Sequence, residues 1–144
     1  MKNEPRVGVG VLIFNSKNEI LLGKRISSHG KFSWGPPGGH LDFGETMEGC
    51  SIRETKEETG LIIQNPEFLA ITNDFFEKEQ KHYISIFMRA DYLLEQMVEN
   101  KEPHKIKEWV WFDTNNLPAP LFLPLQQLIK GKGYGNLCGL LPRI

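Results

Sequence analysis

The chain has 144 residues, a length suited to one domain, and its 40% hydrophobic and 24% charged side chains exclude a disordered polymer. Seventeen basic residues against 18 acidic ones leave a net charge of −1, so no basic excess marks a nucleic-acid or anionic-membrane surface. Binding a polyanion would need a local device such as a metal ion.

A single domain over residues 1–144 is expected. The N-terminal apolar run has no signal-peptide core or cleavage site, and no apolar run approaches the roughly 20 residues needed to cross a bilayer. Cys50 and Cys138 show no CxxC or zinc spacing, which points to reduced thiols and a cytoplasmic location.

In chain order, RVGVGVLIF (6–14) and EILLGKR (19–25) read as a hairpin around the turn Asn15-Ser16-Lys17-Asn18. Residues 26–39 form a Gly/Pro/Ser-rich loop. The clearest helix spans 46–59, with Thr46 as N-cap, Glu48 in the first turn and Gly60 at the C′ position. LIIQ (61–64) is a short strand candidate. Residues 67–76 and 82–92 read as a second hairpin, and 108–113 as a further strand. A short helix before Gly131 is expected despite Pro124. Phe32, Trp34, Trp109 and Trp111 are assigned to the core, and His29 and His82 to the surface.

Within the long helix, Glu54, Glu57 and Glu58 stand at i, i+3 and i+4, so they share one face and repel one another. Met47 and Cys50 precede them on the same stripe, whereas Ile52 points the other way. A stripe that continues apolar residues faces the protein, and clustered inward carboxylates call for a hard cation. Taken alone, the three glutamates leave metal binding and a solvated acidic face equally open. The loop upstream shifts the balance. Pro36-Pro37 stiffen the approach, and Gly38-Gly39 let backbone come close to a bound group.

Gly39, Glu45 and the run RETKEETGL from Arg53 resemble the Nudix box, a 23-residue pattern whose charged and glycine positions all match. Thr55 stands where the pattern has a bulky apolar residue. LLGKR, PGGHLDFGET and EWVWFD further resemble small nucleoside-triphosphate pyrophosphatases of the MutT type. The resemblance implies an α/β fold, an α/β/α sandwich with a mixed β-sheet and a loop–helix–loop catalytic motif. It implies Mg²⁺ or Mn²⁺ held by Glu57, Glu58 and Glu54, with the Gly39 or Gly38 carbonyl adding a ligand. Glu54 would serve as general base or orient the attacking water, while Arg53 and Glu45 hold the glutamates by ion pairing.

An acidic ligand from outside the box is assigned to Glu102, with Glu99 and Glu95 as rivals. His40, Gly38 and Ser85 are the candidate substrate contacts. The implied reaction is hydrolysis of a nucleoside triphosphate to monophosphate and pyrophosphate. ADP-ribose, nucleotide sugars and dinucleoside polyphosphates are the alternatives, although the proline and tyrosine that mark two of those groups after the box are missing. A non-catalytic nucleotide-binding domain is the reading from another class, and the intact set of box glutamates speaks against it. The partner expected is a nucleotide, with no nucleic acid and no membrane; a homodimer is left open.

Overall fold

A computed structural model describes residues 3–135, and Cys138 lies outside the described residues. Strands β1 (Arg6–Phe14) and β2 (Glu19–Arg25) form the first hairpin. Its turn is closed by the Asn15 side chain, whose Oδ1 accepts the backbone N–H of Lys17 and of Glu19, each at 3.0 Å. The two strands pair only beside this turn, where Phe14 faces Ile20. Beyond it they splay apart. β1 then takes β4 (Gly38–His40) as an antiparallel neighbour, while β2 takes β3 (Trp34–Gly35) and β7 (Ile106–Asp113). This splay opens the cleft described below.

On its other side β1 runs parallel to β6 (Lys81–Asp91), which forms a hairpin with β5 (Glu67–Phe76), and short β8 (Tyr134–Gly135) pairs with β5. The sheet is therefore mixed, in the order β3-β2-β1-β6-β5-β8. Alternation along β1 places a helix on each face. Val9 packs in a cluster with Cys50 of α1 (Met47–Thr59), and Val11 and Ile13 pack with Leu21, Leu61 and Ile63. Leu12 and Phe14 point the opposite way, onto Leu125 and Leu128 of α2 (Leu123–Ile129). β1 is apolar on both faces because both are covered. The α/β/α arrangement follows from that.

Helix α1 starts where Thr46 Oγ1 accepts the Gly49 N–H at 2.9 Å, and it stops at Gly60, whose φ of 76° lies in the left-handed region. Pro124 sits in the first turn of α2, where a missing N–H costs nothing.

Several expectations need correction. LIIQ forms no strand. Leu61 and Ile63 are buried, but the N–H and C=O of Ile62 bond to the side-chain amide of Gln96, which takes the place of a neighbouring strand. The loop expected over 26–39 ends in β3 and β4, which residue patterning alone does not reveal because both are short and glycine-rich. Phe32 is not core but 57% exposed, whereas Trp34, Trp109 and Trp111 do pack against the core clusters. His29 is no surface residue; it sits in an aromatic cage. Among the described residues no helix is long and apolar enough to cross a membrane.

Thr46→Ala should lower stability by about 1 kcal/mol, the usual worth of such a cap. Urea unfolding should show a lower midpoint with an unchanged m-value; an unchanged midpoint would mean that the cap bond contributes nothing.

Candidate active site

The helix, the β4 strand and the mouth of the splay meet at Gly38 and Gly39. A Cβ on Gly38 would lie 2.1 Å from the Val9 carbonyl oxygen, so β4 can approach β1 only as glycine. A Cβ on Gly39 would lie 2.1 Å from Glu54 Oε2, so the Glu54 carboxylate rests directly against the strand backbone. Glu58, one turn further along α1, accepts the Gly38 N–H through Oε1 at 2.8 Å. Two carboxylates are thus brought onto one short strand.

Arg53 organises the outer side of this group. Its Nε and Nη2 grip Glu45 in a fork at 2.7 and 3.0 Å, Nη1 donates to Glu54 at 3.1 Å and to Glu57 at 3.3 Å, and Nη2 reaches the His40 carbonyl at 3.2 Å. Only a planar guanidinium can serve so many acceptors in fixed directions. The fork holds the Glu45 carboxyl down at about 2 and raises Arg53 itself.

Inside the fork the electrostatics reverse. Burial pushes Glu58 up to about 8, against the Gly38 N–H, and Glu54 and Glu102 add repulsion. Burial likewise raises Glu54, opposed by Arg53 and reinforced by Glu57 and Glu102. Glu58 is 9% exposed, and among the described residues no Lys, Arg or His lies within ion-pairing distance of it. A buried carboxylate without a counter-ion costs several kcal/mol or so unless it takes up a proton or a cation. The donor set of carboxylate and carbonyl oxygens is that of a hard divalent ion. The residues present therefore fit Mg²⁺ or Mn²⁺. Among the described residues, no three carboxylates, thiols or imidazoles are gathered into a ready cage, and Arg53 holds oxygens of Glu54 and Glu57.

The residues named from sequence separate into three positions. Glu45, Arg53, Glu54, Glu57, Glu58, Gly38 and Gly39 converge as described. Glu102 follows from the β6–β7 connection and is close enough for its charge to act on both Glu54 and Glu58. Glu99 sits past the end of α1, its N–H on the Thr59 carbonyl, and Glu95 is exposed on the same connection. His40 and Ser85 line the cleft that begins at these carboxylates. His40 stacks on Tyr83 and shares a 2.9 Å hydrogen bond with its hydroxyl. Ser85 donates to the buried Asp74 at 2.7 Å.

The cleft encloses about 220 Å³. Its floor is Gly8 and Gly10, which face the same side as Leu12 but contribute no side chain. Sequence reasoning missed Arg25, His29, Tyr83 and Phe122, which line it too. Arg25 is largely buried, its guanidinium 4.1 Å from the Phe122 ring centre, and no carboxylate of the described residues pairs with it. The Gly-x-Gly within an otherwise apolar strand was the available signal: such glycines leave room for something other than protein.

The NUDIX domain profile matches residues 4–130. The chain belongs to the Nudix family. An ADP-ribose pyrophosphatase of Methanocaldococcus jannaschii is 36% identical over 118 residues, covering 82% of this chain and 68% of that protein. A MutT Nudix hydrolase structure from Burkholderia pseudomallei superposes with a TM-score of 0.75 at 30% identity, covering 82% of this chain and 90% of that one. A bifunctional NMN adenylyltransferase/ADP-ribose pyrophosphatase from Francisella tularensis, complexed with AMP and a manganese ion, shares the fold. Its TM-score is 0.70 at 19% identity, over 90% of this chain and 41% of that one. The protein is a Nudix hydrolase.

Gly39→Ala tests the close approach. The added methyl meets the movable end of Glu54, so the carboxylate should be displaced while the fold survives. Turnover should fall at least about tenfold with a stability loss below roughly 1 kcal/mol, the range of a substitution that spares the core. Full activity would show that the position of Glu54 against the strand is immaterial.

Proposed function

We propose that this Nudix hydrolase cleaves nucleoside triphosphates by attack of water at the α-phosphorus, yielding monophosphate and intact pyrophosphate. One observation carries the reading. A single cleft joins Glu54 and Glu58, on which the charge of nearby Glu102 acts, to an enclosed aromatic end lined by Phe76, Tyr83 and Phe122, with Arg25 in the same cleft. The enclosed end suits a nucleoside. The acidic end opens to solvent, with Glu57 half exposed, and suits phosphates that need no apolar pocket of their own.

Glu57, Glu58, Glu54, Glu102 and the Gly39 carbonyl would hold Mg²⁺ or Mn²⁺, which supplies Lewis acidity and neutralises phosphate charge. Glu54, raised by burial and aimed by Arg53, accepts the proton of the attacking water. A base is most effective when its pKa lies near the working pH. Glu45 keeps Arg53 in place and touches no reacting atom. Arg25, which lines the cleft together with Lys105 and whose charge acts on Glu58, binds phosphate oxygens. His40 and Ser85 contact the nucleoside.

Hydrolysis of ADP-ribose is the second reading, favoured by the 36% identical relative that bears that name. A phosphate-release screen over triphosphates, ADP-ribose and nucleotide sugars, with pyrophosphatase as coupling enzyme, separates the two. In ¹⁸O-water the label should enter the monophosphate. Label confined to pyrophosphate moves attack to the β-phosphorus, and a preference for ADP-ribose over every triphosphate overturns the substrate assignment.

Activity should vanish in excess EDTA and return with Mg²⁺ or Mn²⁺. Glu57→Gln and Glu58→Gln should each raise the metal concentration needed for half-maximal rate. Glu54→Gln should lower kcat by about 10²–10⁴ with a smaller effect on KM, as for removal of a general base. A loss below roughly tenfold would pass that role to Glu102.

A further inference from the structure

The enclosed end of the cleft contains a histidine that the catalytic machinery does not use. His29 lines the cavity and is packed among Phe76, Tyr83 and Phe122 at ring-centre distances of 4.5, 5.1 and 5.3 Å. Its Nδ1 lies 2.5 Å from Oε1 of Glu79, on the β5–β6 turn. The other Glu79 oxygen accepts the Gly30 N–H at 3.0 Å. Nε2 has no partner among the described residues. Arg25, from β2, donates to the His29 carbonyl, so one loop ties the cation to the imidazole.

The proton on this ring has only one consistent place. Burial works against the Glu79 charge, yet the Gly30 N–H and His29 hold the carboxyl below its ordinary range, so Glu79 is an anion and accepts only. Burial pushes His29 down, against its bond to Glu79, and the charges of Arg25 and Lys81 push the same way. The ring is then neutral near pH 7, with its hydrogen on Nδ1 and a lone pair on Nε2. We propose that His29, oriented by Glu79, is a base-selecting residue whose Nε2 accepts a hydrogen bond from an exocyclic amino group of the substrate nucleobase. At the end of the cleft away from the carboxylates, the exocyclic substituent is the outermost atom of the base edge and arrives first. A keto oxygen there would put two acceptors face to face inside an aromatic cage, where a lost hydrogen bond is costly. Glu79 is a positioning residue, since it acts only through the imidazole.

This inference rests on the nucleoside occupying the enclosed end, as in the function proposed above. The test uses substrate pairs that differ by amino against keto: dATP with dITP, and dCTP with dUTP. The wild-type enzyme should favour the amino member of each pair by roughly tenfold in kcat/KM, the worth of one buried hydrogen bond. His29→Leu should bring both ratios close to one. Glu79→Gln gives a sharper result. The Gly30 N–H can only donate, so it claims the amide oxygen and turns the amide nitrogen toward His29 Nδ1. The ring proton must then move to Nε2, and the ratios should fall below one.

Nitrogen-15 NMR of labelled histidine reads the tautomer without any turnover: Nδ1–H in the wild type and Nε2–H in Glu79→Gln. A wild-type His29 protonated on Nε2, or an amino preference that persists in His29→Leu, overturns the proposal. If triphosphates are not turned over but ADP-ribose is, the triphosphate reading falls, and ADP-ribose against its hypoxanthine counterpart supplies the same comparison.

Discussion

The structure depends on how closely β4 can approach both β1 and α1. Gly38 lies against the Val9 carbonyl and Gly39 against the Glu54 carboxylate, and neither contact leaves space for a methyl group. With a side chain at Gly38, β4 would stand off from β1 and the Gly38 N–H would lose its bond to Glu58, whereas one at Gly39 would displace the Glu54 carboxylate. Glu58 would then lose its anchor, while Glu54 and Glu57 would keep only Arg53. Two consecutive glycines thus link the sheet, the helix and the chemistry.

Around that contact the acidic helix is divided by charge into two environments. On the outside, the Arg53 fork stabilises Glu45 as an anion and restrains Glu54 and Glu57. On the inside, Glu58 lies almost wholly buried, its charge offset by the Gly38 N–H and by Arg25 at longer range, with no ion pair among the described residues. The helix is destabilised locally by carboxylates that repel at i, i+3 and i+4 spacing, by a few tenths of a kcal/mol per pair. A divalent cation bound there would offset that repulsion and the burial together. The site is thereby a case of local frustration tolerated where function needs it.

The cleft has a different origin. It exists because β1 and β2 pair only at their turn and then recruit different partners, leaving a wedge that Gly8 and Gly10 do not fill. Three of its polar groups have hydrogen-bonded partners: His40 has Tyr83, which also lines the cleft, while Ser85 has Asp74 and His29 has Glu79 behind them. Such backing fixes which atoms donate and which accept before a ligand arrives.

Much of this was legible in the chain itself. The main strands and α1 with its Thr46 cap and Gly60 stop follow from periodicity, capping and glycine preference, which act over a few residues. Of the three carboxylates expected to face inward, Glu54 and Glu58 do, whereas Glu57 at the edge of the stripe is half exposed beside Arg53. Thr55 shows where the local pattern bends. It occupies an apolar position, is fully buried, and its hydroxyl finds no partner. The sequence could not assign LIIQ, because the side chain that satisfies Ile62 comes from Gln96, 34 residues away. Nor could it place His29 in the cleft, since its cage joins the 26–33 loop to β5, β6 and the segment before α2. Short-range order is written in spacing and residue type. The splay of the first hairpin, the burial that raises Glu58, and the pairing of His29 with Glu79 across 50 residues arise only when distant segments compete for the same space, and only the tertiary structure decided them.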